Sequence, residues 1–237
     1  MIPIFTALVG MMNLGGFTLT FWFAGKSGVN AGIISCMFSS SIVFISVIFY
    51  FKYGQKLTVR DALGSVLIVA SVVFIAIGGK NRDTTSDGKD IDVKNLLMAV
   101  ASGLLAGLII ALNAFTLKYF VEGEHKFPAD QLNLDAYTWY AIFLIPVWAN
   151  EIVINPDVTL EDNLKGLIWA LTFGIARILL TLAFKIGKGG TVQAIENSKS
   201  IILTLMFAVL DSMVPNWFEI SGIATGTLGV LVIVLQH

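Results

Sequence analysis

The chain has 237 residues, 56% of them hydrophobic and only 13% charged, with a mean hydropathy of +0.83 and 15 Lys+Arg against 16 Asp+Glu. That composition is too apolar for an ordinary soluble domain, and a net charge of −1 leaves no basic surplus to attract nucleic acid. A lone cysteine, Cys36, excludes an internal disulfide framework and any paired-cysteine zinc site, and two histidines, His125 and His237, give no material for histidine-based metal or nucleophilic chemistry. No cofactor, no metal and no enzymatic activity are expected.

In chain order, eight apolar spans can be drawn, at about 2–24, 31–51, 60–79, 94–119, 134–153, 164–185, 190–211 and 216–236. Each is long enough to cross about 30 Å of hydrocarbon at 1.5 Å per residue. The expected fold is all-α, a polytopic membrane helix bundle embedded in a lipid bilayer, with multi-pass integral localisation. The first span has no Lys or Arg before it and is too long for a signal-peptide core, so it reads as a retained helix. Lys80 to Val93, KNRDTTSDGKDIDV, is the one hydrophilic break with linker character. It divides the chain into 1–79 with three helices, the linker 80–93, and 94–237 with five.

The span 190–211 differs from the rest in carrying Glu196, Asn197, Ser198, Lys199 and Ser200. Gln193, Glu196, Asn197, Ser200, Thr204 and Asp211 share one side of such a helix, a polar stripe that must face protein or water. Each charge at membrane depth costs on the order of 3 kcal/mol on insertion scales. An intramembrane Glu and Lys therefore mark a functional pathway or, as the plainer reading, a structural ion pair from i to i+3.

A gap-free shift of 158 residues lays Gly16 on Gly174, Gly32 on Gly190, Ser40 on Ser198, Phe49 on Phe207 and Gly64 on Gly222, with Asp61 opposite Glu219. The first three helices thus register on the last three. The shift also carries Gln193, Asn197 and Thr204 onto Ser35, Ser39 and Ser46, so two related helices bear matching polar stripes. The layout is two related repeats, three helices plus five, and the symmetry predicts an additional hairpin ahead of the first helix. Repeats around a midplane site are a plan of secondary transporters.

Tyr53-Gly54-Gln55-Lys56-Leu57, then Gly64 and the small-residue helix ending Gly78-Gly79, resemble the drug/metabolite transporter superfamily of the EamA type, whose carriers have two five-helix repeats. Gln55 stands where that family typically has glutamate, and Ser212-Met213-Val214 lacks the motif in the second half. The resemblance implies a carrier with both termini cytoplasmic. Gly103 with Gly107, and Gly222 with Gly226, are small-xxx-small pairs expected to let helices approach closely.

Gly187-Lys188-Gly189-Gly190-Thr191 lacks the length and the residue order of a phosphate-binding loop. The expected substrate-binding residues are Arg177, Glu196, Asn197, Lys199, Ser35, Ser39 and Asn113. Arg177 and Lys199 would attract an anionic small molecule, Glu196 would balance charge or carry a proton, and the serines and asparagines would donate and accept hydrogen bonds. Equal depth on neighbouring helices predicts an Arg177–Glu196 pair, and Lys199 is expected to point into a cavity beside Ser41. The expected function is secondary transport of a small metabolite by alternating access. The alternative is a transporter-like structural subunit that packs against partner membrane subunits or a second copy of itself; a lipid-modifying enzyme has only Glu196 in its favour.

Overall fold

The computed structural model describes residues 1–28, 34–55, 58–80, 92–122, 126–154, 159–187, 189–197, 199, 202, 206 and 215–235. Among these the secondary structure is helical, without a strand: α1 (Ile2–Ser27), a 3-10 segment (Cys36–Ser39), α2 (Ser40–Tyr53), α3 (Val59–Lys80), α4 (Val93–Glu122), α5 (Ala129–Ile154), α6 (Leu160–Ile186), α7 (Gly189–Asn197) and α8 (Trp217–Val234). Among the described residues, five stretches are long and apolar enough to cross a membrane, namely Ile2–Ser27, Cys36–Tyr53, Val93–Glu122, Leu160–Ile186 and Trp217–Val234. The spans expected at 60–79 and 134–153 are the helices α3 and α5. The span expected at 190–211 is described continuously only through Asn197, and the rest of it apart from residues 199, 202 and 206, like the 81–91 part of the linker, lies outside the described residues.

Local chemistry explains where these helices begin and end. Three of them start on a capping box, in which a side-chain oxygen accepts the N3 backbone N–H while the N3 carboxylate accepts the N-cap N–H: Thr58 with Asp61, Thr159 with Asp162, and Asn216 with Glu219. Gly54, with φ of 61°, ends α2 in the left-handed conformation and donates to the carbonyls of Phe49 and Tyr50. Pro128 stands immediately before α5, where its missing N–H costs nothing, and its carbonyl accepts from Leu132 N at 2.9 Å. The second expected span does not run as one α-helix. Ser35 precedes the 3-10 turn, Ser39 ends it and Ser40 and Ser41 follow it, and serine is a weaker helix former than the leucines and alanines of the other spans.

The chain divides into two compact units: Met1–Met11 with Thr116–Gly187, and Met12–Phe115 with Lys188–His237. In the first, Leu117, Phe120 and Val121 at the end of α4 pack with Ala129 and Leu132 of α5, and Ile2 joins them. Asn133 on α5 donates to Thr181 on α6 at 2.9 Å, tying those two helices together.

The second unit is organised by α3 and α8, which run antiparallel along each other. A Cβ on Gly64 would lie 2.7 Å from the carbonyl oxygen of Gly229, and one on Gly222 would lie 3.0 Å from that of Ser71. Ile233 closes over Gly64, and Ile75 closes over Gly222. Only glycine permits approach this close. Gly226 likewise meets Ser71, so the small-residue pair read from the sequence is a packing device. In the same unit α7 lies on α2, with Gly189 against the Phe49 ring and Gly190 against Ser46.

Candidate functional site

The second unit holds a run of buried polar side chains. Ser35, Ser39, Ser40 and Ser41 at the 3-10 turn and the start of α2 are all buried, as is Asn113 on α4. Two glycines let α4 approach this run: a Cβ on Gly103 would lie 2.9 Å from Met37 Cβ, and one on Gly107 would lie 3.3 Å from Ser41 N and collide with Ser40 Oγ. Ser40 Oγ and Asn13 Oδ1 are shielded from solvent without a hydrogen-bond partner among the described residues. Buried oxygens left unsatisfied cost about 1–3 kcal/mol each, and a solute N–H or O–H reaching them recovers that cost.

On α7, Gln193 is buried and its amide donates to Glu196 Oε2 at 2.7 Å. Glu196 Oε1 accepts from the Lys199 ammonium. Glu196 is only 20% exposed at its side chain, whereas Lys199 is 55% exposed. The i to i+3 ion pair that the sequence permits is therefore formed. Lys199 reaches Glu196 within its own turn instead of turning wholly inward, which is the cheaper arrangement for two charges on one helix. Asn197 closes α7, and its side chain lies outside the described residues.

Arg177 belongs to the first unit. Its guanidinium donates to the Tyr137 hydroxyl, and its charge also acts on Tyr140. The two tyrosine rings sit 5.5 Å apart on consecutive turns of α5, and the Tyr140 hydroxyl rests against Gly10, where any side chain would displace it. One turn further along α6, Thr181 meets Asn133. A polar stripe on α5 (Asn133, Tyr137, Tyr140) thus faces a polar stripe on α6 (Arg177, Thr181). A phenol oxygen accepts from the planar guanidinium and so fixes its orientation.

The expected Arg177–Glu196 pair would join residues of different units. Within its own unit Glu196 is met by Gln193 and Lys199, and Arg177 by Tyr137 and Tyr140. Sequence reading missed both tyrosines, although 133, 137 and 140 follow the i, i+4, i+7 spacing of one helix face. It also missed Lys118, a buried ammonium on α4 that donates to the carbonyls of Phe184 at 3.1 Å and Gly187 at 3.3 Å and pairs with Glu122 at 2.7 Å. A cation at the C-terminal end of α6 satisfies carbonyls that the helix leaves open. No protein-family model matches the chain, and a search of curated proteins likewise finds no match.

Proposed function

We propose that the chain is a secondary carrier for a small anionic metabolite, built from two inverted repeats and working by alternating access. The observation that carries this reading is the packing of α3 on α8. These helices begin 158 residues apart, at Val59 and Trp217, as α1 and α6 do at Ile2 and Leu160. Under that shift Gly64, Ser71 and Ile75 become Gly222, Gly229 and Ile233. The contacts of Gly64 with Gly229 and Ile233 are then mirrored by those of Gly222 with Ser71 and Ile75, and the contact of Ile68 with Gly229 by that of Gly226 with Ser71. Such self-complementary contact between antiparallel mates is what a pseudo-two-fold axis produces, and inverted repeats about such an axis are a transporter plan.

The layout of eight spans in repeats of three and five, and the resemblance to EamA-type drug/metabolite transporters, agree with this reading. Within the second unit, substrate would be held by Ser35, Ser39 and Asn113 and approached by the charge of Lys199, with Glu196 balancing charge; Asn197, and Arg177 in the first unit, keep their expected roles. Both termini would be cytoplasmic. The chain would perform no covalent chemistry.

The test is uptake of a panel of labelled carboxylate and phosphate metabolites into vesicles reconstituted with the chain. Saturable uptake of one of them, abolished by Lys199→Ala in protein that remains helical and inserted, is the expected result. Undiminished uptake by that variant would remove Lys199 from the site. The alternative, a structural subunit of a larger membrane assembly, draws on the Glu196–Lys199 pair, which satisfies its charges within one helical turn. It would show as no uptake of any panel member, together with weakened assembly in the same variant.

A further inference from the structure

Among the described residues, the caps at the two ends of the α3–α8 pair are built differently. Asn216 divides its amide between two helices: Oδ1 accepts from Glu219 N at 3.0 Å as the N-cap of α8, while Nδ2 donates to the carbonyl of Gly78 at 2.7 Å, near the end of α3. Glu219 completes the box by accepting from Asn216 N at 2.8 Å and is 0% exposed. The fit is tight, since a Cβ on Gly78 would lie 2.7 Å from Glu219 Cγ and 2.9 Å from Asn216 Oδ1.

The register mate of Asn216 is Thr58, which caps the start of α3. Its hydroxyl accepts from Asp61 N at 3.2 Å and donates to Asp61 Oδ2 at 2.9 Å, and these bonds are solvent-exposed. A hydroxyl has one oxygen and one hydrogen, so Thr58 spends both inside its own box; an amide separates acceptor from donor, so Asn216 caps its own helix and still reaches the next. Because α3 and α8 run antiparallel, the two boxes sit at opposite ends of the pair.

We infer that the bond from Asn216 to the Gly78 carbonyl is a conformational latch, holding α3 and α8 closed at the end where α8 begins. This rests on the alternating-access reading: a carrier with symmetric halves needs an asymmetric fastening to favour one face over the other. In a symmetric bundle, the amide at one end and the hydroxyl at the other set that bias.

Cys36, the single cysteine of the chain, reports on the latch. It is buried with Met37 and Ile75, against Val72 of α3 and Ile223 of α8, within two turns of Gly78 and Glu219. The experiment follows the labelling rate of Cys36 by a small methanethiosulfonate reagent in the full chain reconstituted in vesicles. Asn216→Ala removes both bonds, whereas Asn216→Ser keeps a capping oxygen and is too short to reach Gly78, so a fold lost in the first variant is retained in the second. Asn216→Ser should raise the labelling rate about three- to tenfold, the shift in an opening equilibrium expected from one interhelical hydrogen bond in a membrane. Thr58→Ala, which removes a cap of the same kind at the other end, should leave the rate unchanged. An unchanged rate in Asn216→Ser, or an equal rise in Thr58→Ala, overturns the latch. The labelling rate decides the latch alone, and the uptake assay decides the carrier reading.

Discussion

Gly16 and Gly174 occupy the same place in two helices, α1 and α6, that start 158 residues apart. A Cβ on Gly16 would lie 3.2 Å from Ala106 Cβ, whereas one on Gly174 would meet nothing within 4 Å among the described residues. The flanking side chains differ in the same sense: Phe17 and Phe21 are partly buried against Phe38, Ala106 and Ile110, while Ile175 and Leu179 are 63% and 62% exposed. The two sequences are about equally apolar here. Within a bilayer, hydrophobicity does not separate a face that meets protein from a face that meets lipid, because lipid tails are as apolar as leucine. What distinguishes the mates is the neighbour, α4, and the small residues it presents.

The mates that are covered alike give the largest effect. Gly64→Leu and Gly222→Leu should each destabilise the chain by about 3 kcal/mol, since each forces atoms onto a facing backbone carbonyl. Thermal unfolding in detergent should show equal losses, and a large inequality would break the symmetry of the α3–α8 pair. The mates that are covered unequally come next. Gly16→Ala should cost about 1 kcal/mol by crowding Ala106, whereas Gly174→Ala should be neutral or should stabilise by a few tenths of a kcal/mol through lower backbone entropy in the unfolded chain. Equal effects at the two glycines would show that the difference in cover does not govern stability. The smallest effect tests whether caps follow the cover of their helices. Thr58→Ala and Thr159→Ala both remove exposed capping boxes and should cost alike, about 0.5–1 kcal/mol, in the same unfolding measurement.

Much of the architecture was legible because hydropathy reports length. The first, fourth, sixth and eighth expected spans match α1, α4, α6 and α8 to within a few residues at their ends. Hydropathy does not report the winding of a helix, so the 3-10 interruption at Cys36–Ser39 was not legible in it; only the cluster of serines, weaker helix formers, hinted at a break. Nor did it extend α5 back to Ala129, because Asp130, Asn133 and Asp135 lower the apolar average although Pro128 marks the start. The serines of the candidate site and the Glu196–Lys199 pair were readable from helical spacing. Tyr137 and Tyr140 were not, since an apolar scan counts tyrosine as one more large side chain and only the facing Arg177 gives its hydroxyl a role.

Lys118 bears on how the chain is assembled. Its carbonyl partner Phe184 is 66 residues further along, so during synthesis α4 is complete before the end of α6 that it caps has been made. Glu122, one turn away on the same helix, supplies a counter-charge from the moment the helix forms. The pair lets a cationic side chain stand among apolar residues at lower cost than a lone ammonium. Arrival of Phe184 and Gly187 then converts a locally neutralised residue into a tie between helices made at different times.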